Sequence, residues 1–350
     1  MVDFNRPDAF MSPVDDADMF GMFDLLINGD GRITQRAAGT VADGAYGLFD
    51  RHYHLNQSNP TTPSQLTDVA DGTPFMMRLT QSNASAQRFG LAQVIEAKNC
   101  KKFRGRKRTL GLRLRTSDAR TVRFAILGWT STADNPTKDV VADWTSGTFT
   151  AGNFFLASNV AVYATGSIAL AANTLTDVSL LATLGSTFNN LYVMVWTDAT
   201  AAQNVTLDIA WELLPGDRTK HNRLQHVRSI TQEMTECLRY YWQMNGVAAY
   251  DPVICNGQAR NATLFQGVIQ YPVPMRKLPT FSASNSTNLF GISTAGDFNA
   301  NTVGTANIGL TQATLNASSS GMTAGQAALL QFGANATTST FISFDAELGV

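Results

Sequence analysis

The stretch Val205-Thr206-Leu207-Asp208-Ile209-Ala210-Trp211-Glu212-Leu213 alternates without a break. Val205, Leu207, Ile209, Trp211 and Leu213 fall on one side, and Thr206, Asp208, Ala210 and Glu212 on the other. Side chains of an extended strand point to opposite faces in turn, so this period of two predicts a strand with one buried face. Thr121–Ile126 repeats the pattern with Val122, Phe124 and Ile126 inward, and Thr109–Arg115 and Leu191–Trp196 add two more strands. From Leu25 to Asp217 such strands are separated by Gly, Asn, Asp and Thr turns rather than by helices. That order predicts an all-β sandwich and excludes a parallel α/β sheet.

Leu214-Pro215-Gly216-Asp217 is a turn-rich stop, and a domain boundary is expected just after it, so that residues 25–217 form one domain and 218–350 the next. The second domain opens on a helix signal. Ser229-Ile230-Thr231-Gln232 reads as a capping box, in which the Ser oxygen and the Gln side chain satisfy free backbone donors. Ile230, Met234, Cys237, Leu238 and Tyr241 follow along one helical stripe, and Asn245-Gly246 supplies a left-handed stop. The expected helix is Ile230–Met244. Beyond it, residues 281–350 hold three charged side chains, Asp297, Asp345 and Glu347, with β-prone stretches at Leu329–Phe332 and Thr340–Phe344. A segment so poor in charge is expected to be covered by copies of itself in an assembly.

Charged residues make up 15% of the chain, against roughly 25% in an ordinary soluble domain. With a formal net charge of −1, the chain has no global attraction for nucleic acid or membrane, and neither is expected as a partner. Cys100, Cys237 and Cys255 are too few and too scattered for a disulfide framework, and no CxxC points to zinc. An acidic beginning without a long apolar run argues against a leader or a membrane span, so the protein is expected to be made in a cytoplasm. Residues 1–24 interleave six Asp, among them Asp15, Asp16 and Asp18, with Phe4, Phe10, Phe20 and Phe23. This acidic arm is expected to order by docking on another subunit.

Few residues carry a chemical signal. Asn28-Gly29-Asp30-Gly31 resembles the middle of a calcium loop. Aligned on Asp30, however, the first and last ligand positions fall on Leu26 and Ala37, so a turn is expected instead. His52 and His54 flank Tyr53 in a strand-like stretch and share a face with Asp50, a spacing too weak to argue a metal site. No GxSxG elbow, P-loop or HExxH occurs, no cofactor is implied, and no catalytic pair can be picked out. Lys98, Lys101, Lys102, Arg104, Arg106, Lys107 and Arg108 place seven cations within eleven residues. Lys101 to Arg108 are candidates to receive the acidic arm of a neighbouring copy through Asp15, Asp16 and Asp18, against the simpler reading of a solvated turn. Trp144, with Asp143 before it and Thr145-Ser146-Gly147 after it, is the best candidate for stacking on a sugar ring, followed by Tyr163 and Trp129. Trp196 and Trp211 lie in alternating strands and read as core.

Two short segments lie about two hundred residues apart. The first is Leu25-Leu26-Ile27-Asn28-Gly29-Asp30-Gly31-Arg32-Ile33-Thr34-Gln35-Arg36 with Phe49-Asp50-Arg51-His52-Tyr53. The second is Glu236-Cys237-Leu238-Arg239-Tyr240-Tyr241 with Pro274-Met275-Arg276-Lys277-Leu278-Pro279-Thr280. Together they resemble a family of phage and prophage structural proteins usually assigned to tail fibres. The family pattern is N-L-(L/I)-N-G-x-F-x-(I/V)-x-Q-R, then A-D-R-W, C-Q-R-Y-Y and (V/P)-x-M-R-x-x-P-T. Here Gly31 replaces the common Phe, and His52 the common Trp. The resemblance implies a jelly roll similar to carbohydrate-binding modules, followed by a C-terminal β-domain, in a non-enzymatic virion subunit. It further implies a homotrimer with other virion proteins as partners and a host surface polysaccharide as ligand. A capsid or tail decoration protein without a receptor, and a polysaccharide depolymerase, are the alternatives.

Overall fold

The structure is a computed structural model of the chain and describes residues 24–70, 73–215, 228–248, 250–284, 290–294, 297–300 and 302–349. The acidic arm, with Asp15, Asp16 and Asp18, lies outside the described residues, as do the expected boundary after Asp217 and the histidines His221 and His226. The chain forms two compact units. One is built on residues up to Thr34 and on Ala38–Ser229, the other on Gln35–Ala37 and Ile230–Leu348.

The first unit contains β1 (Tyr53–Asn56), β2 (Thr62–Ala70), β3 (Thr73–Thr80), β4 (Phe89–Ile95), β5 (Lys107–Thr116), β6 (Arg120–Trp129), β7 (Val160–Leu170), β8 (Thr176–Thr183), β9 (Asn190–Thr197) and β10 (Thr206–Pro215). They pair as two five-stranded sheets ordered β1-β4-β9-β6-β7 and β2-β3-β10-β5-β8, antiparallel throughout. Sheets β4-β9-β6-β7 and β3-β10-β5-β8 interleave along the chain, which is the double Greek-key winding of a jelly roll. The alternation in β10 does what it predicts. Leu207, Ile209, Trp211 and Leu213 enter the core beside Leu110, Leu112 and Leu114 of β5 and Val193 and Val195 of β9. On the outer face of the same strand, Asp208 is fully buried between Arg78 and Arg115, whose Nε atoms donate to its two oxygens at 2.7 Å each.

The second unit contains β11 (Tyr241–Asn245), β12 (Val253–Ala259), β13 (Leu264–Gln270), β14 (Thr280–Ala283), β15 (Phe290–Ser293), β16 (Asp297–Ala300), β17 (Thr302–Ile308), β18 (Gln312–Ser318), β19 (Ala327–Phe332) and β20 (Phe341–Asp345). A three-stranded sheet, β11-β20-β14, and a seven-stranded sheet, β16-β15-β19-β12-β13-β18-β17, share one core. Trp242, Phe344 and Phe281 meet Phe290, Leu315, Leu330 and Phe332 there. The helix that opens this unit is Ile230–Leu238, shorter than the expected Ile230–Met244. Residues 241–245 form β11 instead, pairing with β20 in the register Trp242↔Phe344. The helical stripe and the strand pattern both call for apolar residues at Leu238 and Tyr241. Long-range pairing with β20 decides against extending the helix.

Candidate functional site

The connection between β6 and β7, residues 130–159, is the longest in the first unit, and it brings together an aromatic group that spacing alone did not reveal. Along β9, Leu191, Val193 and Val195 face the core, so Tyr192, Met194 and Trp196 face the other side of the sheet, yet none of these three is exposed. The connection covers them. Phe154 stacks on Trp196 with ring centroids 5.1 Å apart and planes at 19°, Phe155 meets Trp196 edge-on, and Phe149 lies against both Phe154 and Trp196. The Arg123 guanidinium of β6 lies 3.7 Å from the centre of the Phe149 ring and is ion-paired to Asp198. Phe149, Phe154 and Phe155 were legible only as an unusual run of aromatics in a segment of turn residues.

Trp144 sits on this pad at the surface. Its half-buried ring meets the edge of Phe154 at 5.6 Å and 80°, and the Arg88 side chain donates to its backbone carbonyl. Asp143 is exposed and its Oδ1 accepts from the Thr145 amide at 2.8 Å and the Thr145 hydroxyl at 2.6 Å, which holds the carboxyl below its usual range. An indole with a fixed backbone beside an ionised, oriented carboxylate is the arrangement that stacks on a sugar ring and accepts from its hydroxyls. The other two candidates are placed elsewhere. Trp129 is 7% exposed and donates through Nε1 to Thr132 O at 3.0 Å. Tyr163 lies against Phe188 and the core with its hydroxyl buried. Among the described residues no ring contact joins either of them to Trp144.

The basic cluster divides in two. Arg104 donates through Nε to Phe188 O at 2.8 Å, and Arg108 is 1% exposed with its guanidinium 3.5 Å from the centre of the Phe103 ring. Burial pushes Arg108 down to about 10. These two cations brace the loop, whereas Lys102, Arg106 and Lys107 are exposed and Lys101 half-buried, open to a partner.

His52 and His54 are buried within the jelly roll. His52 Nδ1 meets Asp50 O at 2.9 Å, so this nitrogen carries the proton, and Nε2 accepts from Trp211 Nε1 at 3.1 Å and Gln93 Nε2 at 2.9 Å. His54 Nδ1 meets the Thr61 hydroxyl at 2.8 Å. Burial pushes both histidines down to about 3, so they are neutral. Among the described residues no group of three or more His, Cys, Asp or Glu could hold a metal ion. One carboxyl pair does form. Asp43 and Asp139 lie near each other, and burial raises both, Asp139 to about 6.

The segments that carry the family resemblance converge within each unit. In the first, Asn28 has φ of +60° and its side chain bridges the turn, donating to Ile33 O at 2.8 Å and Asp50 O at 3.1 Å and accepting from Ile33 N. Gly29 follows because a Cβ there would stand 2.2 Å from the Trp211 carbonyl oxygen. In the second unit, Gln35 donates to Tyr241 O at 2.9 Å, and Arg36 lies 3.6 Å from the centre of the Tyr241 ring and within reach of Asp345 and Glu347. Arg276 donates to Ala346 O at 2.9 Å. These contacts hold the fold within each unit.

No family model and no curated sequence matches the chain. Among solved structures, the module TmCBM61 in complex with β-1,4-galactotriose is similar at a TM-score of 0.33 and 8% identity, over 55% of this chain and 99% of that one. The CBM22-1–GH10 modules of Clostridium thermocellum xylanase 10B with xylohexaose are similar at 0.31 and 14%, over 49% of this chain and 27% of that one. The enzymatically active domain of tailspike protein 4 of bacteriophage CBA120 is similar at 0.33 and 11%, over 55% and 21%. Likenesses of this extent carry no argument about ligand or role. The jelly-roll assignment rests on the strand order.

Proposed function

We propose that this chain is a structural subunit of a phage particle, of the tail-fibre or appendage kind, that binds host surface glycans through the jelly roll. The observation that carries the reading is Trp144. It is a surface indole on an aromatic pad, with the oriented carboxylate of Asp143 beside it. The family resemblance of the Asn28–Arg36 and Arg239–Tyr241 segments supports the virion setting. Contact with one sugar is weak, and several copies on one particle multiply it. The test is retention of the purified protein on surface polysaccharide extracted from bacteria that the phage infects. Trp144→Ala is expected to lower affinity at least tenfold. Asp143→Ala, whose side chain is exposed and whose loss leaves the pad intact, is expected to lower it several-fold with an unchanged melting temperature. Equal retention of all three proteins would refute the reading. A chain that retains its assembly but binds no glycan would favour a decoration protein, a role that the charge-poor 281–350 segment also suits.

A further inference from the structure

The outer face of the seven-stranded sheet carries a group of carboxamides, Asn256, Gln258, Gln266 and Asn316, set among Val268, Thr314 and Leu329. Antiparallel register sets Gln258 of β12 opposite Gln266 of β13, and Gln266 opposite Asn316 of β18. Three amides therefore stand in one row at the spacing of adjacent strands, about 4.8 Å. Gln266 donates to Asn316 Oδ1 at 3.1 Å and accepts from Arg260 at 2.8 Å, which fixes the middle of the row. The neighbouring row runs from Leu329 through Asn256, with Val268 opposite Thr314 beyond it. Between the rows lies an open depression of about 450 Å³ lined by Asn256, Gln258, Gln266, Val268 and Thr314, with Gly257 and Gly267 in its floor. The two glycines are directly paired, and the Phe265 ring lies beneath both. A Cβ on Gly257 would stand 2.7 Å from it and one on Gly267 2.8 Å.

The lining selects a chemistry. No acid or base is among the lining residues, and the neighbouring Arg260 guanidinium is turned to Gln266 Oε1 at 2.8 Å, so the lining itself offers an ionic ligand no charge of its own. Each carboxamide donates through nitrogen and accepts through oxygen, and a sugar hydroxyl also does both, so a pair of amides on one face matches a pair of adjacent hydroxyls. Val268, 48% exposed, offers apolar surface to the C–H side of the same ring. We propose that this depression is a second glycan site, separate from Trp144, for an uncharged, hydroxyl-rich polysaccharide held by Asn256 and Gln258. The proposal goes beyond the Trp144 reading and does not depend on it.

The experiment is affinity electrophoresis in gels cast with neutral glucan, galactan or mannan, with alginate and pectate as acidic controls. The full chain is run as wild type, Trp144→Ala, Asn256→Ala/Gln258→Ala, and the triple variant. The Trp144→Ala chain is expected to remain retarded in at least one neutral gel and in neither acidic gel. The triple variant is expected to bind at least tenfold more weakly than Trp144→Ala, with melting temperature and native mass unchanged, and Val268→Arg is expected to act likewise. Equal retardation of Trp144→Ala and the triple variant would overturn the proposal, as would retardation in acidic gels alone or no retardation of the wild type. A change of native mass in Asn256→Ala/Gln258→Ala without a change in binding would also overturn it, because the face would then pack on a second copy. If Trp144→Ala has no effect while the amide pair does, the first site fails and this one stands. The reverse result sinks this one alone.

Discussion

His52 shows what a single residue does in this fold. It replaces the Trp common in the resembled family, and in the core it serves as acceptor for the Trp211 indole and for Gln93 while donating to Asp50 O. His52→Phe keeps the ring but leaves the buried Trp211 N–H without its acceptor, an omission that costs about 1–3 kcal/mol. Urea unfolding is expected to show that loss with an unchanged slope. Neutral His52 and His54 also set a pH dependence. Their folded values of about 3 lie below the ordinary 6.5, so between those pH values the unfolded chain binds more protons, and their contribution is lost as pH falls below 6.5. Asp24 and Asp139 act with the opposite sign. Burial raises them to about 7 and about 6 from 3.8, so their contribution is lost as pH rises from about 4. The two effects oppose each other between about pH 4 and 6.5. Wild-type stability is therefore expected to stay nearly level there, whereas Asp24→Asn/Asp139→Asn should lose stability steadily as pH falls from 6.5, as measured by thermal melts across the range.

Among the elements, the three-residue stretch Gln35–Ala37 has the largest consequence for its length. It leaves the jelly roll to join the second unit, where Arg36 lies over Tyr241 and beside Asp345 and Glu347. The Arg36 side chain is 11% exposed and that of Glu347 0%, so screening by water is slight. Breaking such a buried pair from one side costs about 3–5 kcal/mol. Arg36→Met is expected to lower the melting of the second unit by that order, while hydrogen exchange in β4, β6 and β9 stays as in the wild type. Uniform loss of protection across both units would contradict it. Gly29 makes the matching case in the first unit. Because a side chain there meets the Trp211 carbonyl, Gly29→Ala is expected to destabilise the jelly roll even though the residue lies in a turn. The helix shows where local signals stop. Its start at Ile230 was readable, but the expected stripe was not kept, since Ile230 is exposed and Glu233 buried, and its end at Leu238 was not readable, because residues 241–245 gain more by pairing with β20 than by adding another helical turn.

For the whole molecule, we propose self-association, on the low overall charge and the basic loop. A trimer, as the resemblance implies, would have three times the 37.8 kDa chain mass, to be checked by light scattering. If the acidic arm of one copy docks on the basic loop of another, association is expected to weaken at high salt, where exposed charges are screened. The informative variant is Lys102→Glu/Arg106→Glu/Lys107→Glu, because these side chains are exposed. Arg104 is excluded because it holds Phe188 O. An unchanged native mass in that variant would remove the arm–loop contact from the account.

The all-β class and the inward faces of several strands are legible in the chain alone. A period of two in β5, β6 and β10 follows from the geometry of an extended chain whatever its neighbours are. The sequence also determined which residues are conspicuous: Trp144, the basic loop and the motif segments. Only the tertiary structure decided what each of them does. Trp129 and Tyr163 are as aromatic as Trp144, yet they lie against the core, and Arg104 and Arg108 are as basic as Lys107, yet they brace the loop. The pad of Phe149, Phe154 and Trp196 and the amide row of Gln258, Gln266 and Asn316 reach across 47 and 58 residues of chain. Their meeting depends on strand register and on where a long connection lies, and neither is a property of local spacing.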